Sequence, residues 1–172
     1  MLYWLLFQVL YTGYAKQHSF LTPLRLFQYV TFRTAFASLT ALFLSILIGP
    51  WMIRKLREIA FGQYIREEGP AWHAKKSGTP TMGGLLTVTS IVIPTLLWAD
   101  LRNPYVWIAM FALVSFGAIG FWDDYTKVAK KRNLGLTSRQ KFLAQVAICL
   151  AIGVMLLRLH ALGAYETAMN VP

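Results

Sequence analysis

The chain has 172 residues, 56% of them hydrophobic, a mean hydropathy of +0.49 and 17 Lys+Arg against 7 Asp+Glu, for a formal net charge of +10. Only 14% of the residues are charged, well below the roughly one quarter of a soluble domain, which excludes both disorder and an ordinary water-exposed fold. A nucleic-acid binder is excluded as well, because its basic charge sits on a wettable surface that this composition lacks.

Taken from the N-terminus, Met1–Leu10 is apolar, and the first basic residue is Lys16. The missing basic n-region argues against a cleaved signal peptide. Met1–Tyr11 is too short to cross a bilayer and is expected at its interface, with Tyr3, Trp4 and Tyr11 as amphipathic anchors. Beyond it, stretches free of ionisable side chains run over Thr34–Ile53, Ser77–Ala99, Asn103–Trp122 and Phe142–Leu157. A helix rising ~1.5 Å per residue needs ~20 residues to cross ~30 Å of hydrocarbon, so the first three qualify directly. The fourth is shorter, but Arg158 can snorkel and apolar character resumes over Leu159–Ala164.

These stretches predict an all-α integral membrane protein with about four transmembrane helices in a single domain. The spans fall near 34–53, 79–99, 103–122 and 142–163, with loops 54–78 and 123–141, and Pro94 is expected to kink the second. The single cysteine, Cys149, can form no intramolecular disulfide and reads as a small core residue.

Basic residues set the orientation. Arg54, Lys55, Arg57, Arg66, Lys75 and Lys76 fall between spans one and two, and Lys127, Lys130, Lys131, Arg132, Arg139 and Lys141 between spans three and four. Lys16, Arg25, Arg33, Arg102 and Arg158 are the rest. Positive-inside therefore predicts that both rich loops are cytoplasmic and both ends of the chain lie outside. The plainest role for most of this charge is topology and contact with anionic lipid.

Two segments carry candidate chemistry. The third span ends in Gly120-Phe121-Trp122-Asp123-Asp124-Tyr125-Thr126-Lys127. Adjacent carboxylates repel, and the C-terminal end of a helix adds partial negative charge, so Asp123 and Asp124 call for a neutralising cation. Lys127 is spaced to pair with either, Lys130 and Lys131 extend the same side, and a divalent cation or a substrate ammonium would also serve. The alternative is a structural salt-bridge cluster at the membrane edge. Gly117 and Gly120 read as helix-packing positions.

The second segment, Lys75-Lys76-Ser77-Gly78-Thr79-Pro80-Thr81-Met82-Gly83-Gly84, leads from a basic loop into the second span. Thr79 suits a cap and Pro80 a first turn, and the helix start offers unpaired N–H groups to an anion. Gly83 and Gly84 permit close approach of backbone or ligand, and Lys76 adds a point charge suited to phosphate. A capped helix start with a packing glycine pair explains the same pattern. On the predicted topology both segments share the cytoplasmic face, which supplies the equipment of phosphoryl transfer, with a lipid as one reactant.

The stretches Ser77–Gly84, Gly120–Val128 and Gly135-Leu136, with Tyr29–Arg33, Phe61–Gln63, Gly69-Pro70 and Asn103–Trp107, resemble the phospho-N-acetylmuramoyl-pentapeptide transferase family of bacterial cell-wall synthesis. The resemblance implies transfer of phospho-MurNAc-pentapeptide from UDP-MurNAc-pentapeptide to undecaprenyl phosphate, giving lipid I and UMP with Mg²⁺ at the cytoplasmic face of the inner membrane. It implies that Asp123 deprotonates or positions the lipid phosphate and that Asp124 binds the nucleotide or supports the site, both being contributors to an incomplete metal site. Lys76, Thr81 and Lys127, with Lys131 and Arg139 as further candidates, would hold phosphates.

Family members resemble ten-helix bundles that form homodimers, so the resemblance covers about the first four helices. It lacks a later Asn/Asp-rich loop, a further Asp associated with Mg²⁺ and a late His-rich motif, which the scattered His18, His73 and His160 do not replace. The chain alone is therefore expected to be inactive without the missing C-terminal helices. A non-catalytic membrane protein serving assembly or partner binding is the alternative.

Overall fold

The computed structural model describes residues 2–14, 19–60, 83–129 and 135–163. An apolar π-helical segment, Trp4–Tyr11, runs into a helical turn, Thr12–Tyr14. A 3-10 segment, Ser19–Gln28, then leads to four α-helices: α1 (Val30–Ala60), α2 (Gly84–Trp98), α3 (Pro104–Ala129) and α4 (Ser138–Ala161). No strand occurs among the described residues. An all-α membrane protein is what these sequences demand, because in hydrocarbon a helix satisfies every backbone group within its own segment. The threonines obey the same constraint: the hydroxyls of Thr34, Thr40, Thr89 and Thr95 each donate to the carbonyl four residues back.

Among the described residues three helices are long and apolar enough to cross a membrane: Val30–Leu56, Pro104–Ala129 and Ser138–Ala161. The expected span 79–99 is described only from residue 83, and its helix, α2, has 15 residues. At ~1.5 Å per residue that is about 22 Å, short of the ~30 Å hydrocarbon thickness. The fourth stretch, by contrast, is a full 24-residue helix.

Helix ends also depart from expectation. The loop expected from residue 54 begins as helix, since α1 continues through the basic Arg54 and Lys55 to Ala60. The loop expected at 123–141 is helical on both flanks, to Ala129 and again from Ser138. Helices α1 and α3 both run on past the first charged residues of the expected loops, so charge does not mark where they stop.

Helices α1 and α2 meet through small and hydroxyl-bearing residues. Ser45 Oγ donates to Ser90 Oγ at 3.0 Å, and Trp98 Nε1 donates to Thr40 Oγ1 at 3.0 Å. Around that indole Phe27 stacks at 5.5 Å and Phe36 tilts at 5.3 Å, closing one end of the pair. Helix α2 remains helical through the buried Pro94. On α3, Gly117 lies so close to Val88 that a Cβ there would sit 2.9 Å from Val88 Cγ2, so Gly117 serves helix packing as expected. At Gly120 nothing lies within 4 Å of an added Cβ, so the second expected packing glycine faces open space.

Few side chains are enclosed. Leu56, Trp98 and Met110 are the buried apolar residues among those described, while Leu47, Phe43 and Leu157 project outward, as suits a surface solvated by lipid. No described residue of α4 is buried. Cys149 is exposed on that helix, which corrects its reading as a core residue: the apolar run around it faces outward rather than into protein. At the N-terminus the rings of Tyr3, Phe7 and Tyr11, four residues apart, stack at 5.9 and 5.5 Å.

Candidate functional site

Asp123 is the one buried charged residue among those described, with 5% of its surface exposed. An ionised carboxylate so enclosed demands partners, because desolvation of an unpaired charge costs several kcal/mol. It has them on both oxygens. Oδ2 lies 2.8 Å from Lys127 Nζ and 2.8 Å from Lys141 Nζ, while Oδ1 accepts from the backbone N–H of Leu136 at 2.8 Å. Lys127 also reaches Asp124 Oδ1 at 2.9 Å, so one ammonium bridges the adjacent carboxylates. Among the described residues two carboxylates meet two ammonium groups, which answers the repulsion that the sequence raised.

Local sequence explains each placement. Asp123 and Lys127 are four residues apart on α3, within one face of a continuous helix. That helix runs six residues past Asp123 to Ala129, so the pair does not sit at the helix C-terminus. The dipole at that end falls off within a turn and is a small term here. Lys141 arrives from α4, whose start is fixed by a capping box. Thr137 Oγ1 accepts from Gln140 N at 3.3 Å, and Gln140 Oε1 accepts from Thr137 N at 3.0 Å. Lys141 occupies the next position in that first turn, directed back at α3.

Between them Gly135 permits the chain to pass against the carboxylate. A Cβ at residue 135 would lie 2.7 Å from Asp123 Cγ and 2.8 Å from its carbonyl oxygen. Those distances are too short for any side chain, so glycine is required by close approach. The sequence held both signals: Thr137-x-x-Gln140 has the capping-box spacing, and Gly135 precedes it. Spacing gave no reason to join Lys141 or Leu136 to Asp123 across 18 and 13 positions.

Beside the cluster is a cavity of about 240 Å³ lined by Gly84, Leu85, Val88, Gly120, Asp123 and Asp124, among others. The start of α2 and the carboxylate pair of α3 thus share one space. Of the predicted site residues, Asp123, Asp124 and Lys127 come together. Arg139 is exposed on the first turn of α4, outside the carboxylate cluster's ion pairs. Lys76, Thr81 and Lys131 lie outside the described residues, as do Lys130 and the expected cap and first-turn residues Thr79 and Pro80.

The two carboxylates are hard oxygen donors of the kind Mg²⁺ takes. Asp123, however, already meets two ammonium groups and an amide, and no group of three or more His, Cys, Asp or Glu able to hold a metal occurs among the described residues. These residues do not by themselves make a Mg²⁺ site.

The signature described as phospho-N-acetylmuramoyl-pentapeptide-transferase signature 1 matches residues 76–86, the stretch that leads into α2. The chain is similar along its whole length to curated proteins named phospho-N-acetylmuramoyl-pentapeptide-transferase. It is 58% identical over 172 residues to that of Solibacter usitatus and 56% identical over 172 residues to that of Koribacter versatilis, spanning 44% of each relative's length. Similarity to the Desulfatibacillum aliphaticivorans protein of the same name is 50% over 153 residues, or 89% of this chain and 42% of the relative. With Gly84 and Leu85 of its signature stretch lining the cavity beside the carboxylate pair, and with this identity over all 172 residues, the chain belongs to the phospho-N-acetylmuramoyl-pentapeptide-transferase family, of which it spans less than half the length of a member.

Proposed function

We propose that this chain supplies the cytoplasmic carboxylate and lysine portion of an enzyme that transfers phospho-MurNAc-pentapeptide from its UDP carrier to undecaprenyl phosphate. The observation that carries the reading is the shared cavity, in which the signature-bearing start of α2 meets Asp123 and Asp124. A phosphate oxygen of the lipid forms a bond to the sugar-bearing phosphorus of the UDP substrate. The pyrophosphate P–O bond breaks, UMP leaves and lipid I results. Little covalent chemistry falls to the protein in such a step, and positioning with charge neutralisation carries most of the rate.

In this reading Asp123 is the organiser. It holds Lys127 and Lys141 at one point, 2.8 Å from a single carboxylate oxygen, and the pair of ammonium groups can pass from carboxylate to incoming phosphate oxygens. Asp124 faces the cavity and supports the nucleotide end. Lys76, Thr81, Lys131 and Arg139 hold further phosphate oxygens. Mg²⁺, if bound, would supply further charge neutralisation, and Asp123 and Asp124 are the described carboxylates that could contribute to holding it. The enzyme resides in the bacterial inner membrane as a homodimer, its active face cytoplasmic and the two ends of this chain periplasmic.

A phosphotransfer assay with UDP-MurNAc-pentapeptide and undecaprenyl phosphate tests the reading on the 172 residues alone and on the full-length protein. Lipid I forms with the full-length protein, is lost on Asp123→Asn, and does not form with the 172 residues by themselves. Absence of lipid I from the full-length protein would overturn the reading in favour of a non-catalytic role in assembly or partner binding.

A further inference from the structure

A second cavity, of about 270 Å³, lies where α1, α2 and α3 meet at the opposite end of α3. Its lining combines Arg33 and Thr34 from α1, Asp100 from the segment after α2 and Asn103 before α3 with the apolar walls of Trp98 and Val106. Asp123 is 19 positions along α3 from Pro104, about 28 Å at ~1.5 Å per residue, close to the ~30 Å hydrocarbon thickness. The two cavities therefore lie about one hydrocarbon thickness apart along α3.

Arg33 is incompletely satisfied. Its guanidinium carbon stands 4.0 Å from the centre of the Tyr3 ring, yet its Nε is buried without a hydrogen-bond partner among the described residues. An orphaned donor so enclosed is costly, and Arg33 itself lines the cavity. Asp100 lines the same cavity but forms no ion pair with Arg33 among the described residues. One of its oxygens, Oδ1, takes the N–H of Arg102 at 3.1 Å. Asn103 uses its side-chain oxygen to cap α3 through Tyr105 N at 2.9 Å, which leaves its amide group as a donor. The space is far larger than the roughly 10–15 Å³ that one water requires.

Among the described residues a cation and an anion thus border one cavity unpaired with each other, beside apolar walls, at the end of membrane-crossing helices. We propose that it binds the headgroup of a zwitterionic phospholipid, phosphatidylethanolamine being the simplest: Arg33 and Asn103 take the phosphate oxygens, and Asp100 takes the ammonium. Phosphate recognition by a guanidinium fork and ammonium recognition by a carboxylate set the charges in the order that the lining supplies them.

The test takes the full-length protein in nanodiscs of equal phosphatidylethanolamine and phosphatidylglycerol and counts retained lipids by native mass spectrometry after release. Phosphatidylethanolamine is retained preferentially, and Arg33→Gln lowers that retention about tenfold, the effect of losing a hydrogen bond to a charged group. Arg33→Lys, which keeps the charge and the fold, restores part of it, while Asp100→Asn leaves retention but abolishes the preference over phosphatidylglycerol. Equal retention of the two lipids by the unaltered protein overturns the proposal, as does unaltered retention in a folded Arg33→Gln variant. Displacement by free phosphoethanolamine at concentrations equal to the lipid assigns the cavity to a soluble ligand and overturns it too. Lipid retention is read without turnover, so its failure is separate from any failure of phosphotransfer.

Discussion

At one end of α3 a buried carboxylate, Asp123, is closed in by two ammonium groups and a backbone amide; at the other a guanidinium, Arg33, borders a cavity with its Nε unpartnered. Both ends take charge out of water, yet they are built for different work. A charge whose partners all come from the chain is held in one geometry, which suits a site that must present ammonium groups at a fixed point. A charge left with an orphaned donor is the costlier arrangement and calls for an explanation beyond the contacts of the described residues. Satisfaction, rather than burial, separates the two.

The largest effect expected is at the satisfied end. Asp123→Asn removes the anion on which Lys127 and Lys141 converge, and lipid I formation by the full-length protein falls by about 10²–10³, the scale of losing a preorganised electrostatic group. Asp124→Asn keeps that convergence and costs less. An equal loss from both variants would mean that Asp123 has no organising part. Next in size is Gly135→Ala. The added carbon would meet Asp123 at 2.7–2.8 Å, so the loop must move away and take the Leu136 amide with it, destabilising by about 1–3 kcal/mol. Thermal unfolding in detergent measures the cost, and no shift in midpoint would show that the loop adapts freely.

How much of this was legible in the sequence differs between the two ends. Lys127 was readable because i, i+4 spacing is set by the helix itself. Lys141 was not, since its meeting with Asp123 depends on how the chain turns between α3 and α4, which spacing does not encode. The local pieces of that turn were nevertheless written in Gly135 and in Thr137-x-x-Gln140, a capping box with both hydrogen bonds present. The spans expected from ionisable side chains do not give the helix ends, because α1 runs on past Arg54 and Lys55 to Ala60 and α3 past Asp123 and Asp124 to Ala129. Arg33 counted only toward the sparse side of the charge balance. Its orphaned nitrogen is a tertiary fact, made by Tyr3 and the ends of three helices.

Smaller effects sharpen the contrast by separating contact from proximity. Lys141→Gln removes one of the two ammonium groups at Asp123 but leaves Lys127, and the Lys141 side chain is 41% exposed. Solvent screens such a pair, so lipid I formation falls only about fivefold, with Lys141→Arg recovering most of it. A loss as large as that of Asp123→Asn would place the organising charge on Lys141 instead.

The smallest effects come from two glycines one turn apart on α3. Gly117→Ala forces a carbon to 2.9 Å from Val88 Cγ2, a flexible neighbour that can yield, for about 1 kcal/mol. Gly120→Ala meets nothing within 4 Å and lines the cavity beside Asp123 and Asp124. It should leave the unfolding midpoint unchanged or slightly raised, as removing a helical glycine does. If the cavity admits substrate, the same methyl raises the KM for the UDP substrate while stability holds. A Gly120→Ala variant that loses stability and keeps its KM would make residue 120 a packing position after all, and would remove the cavity from the account of substrate binding.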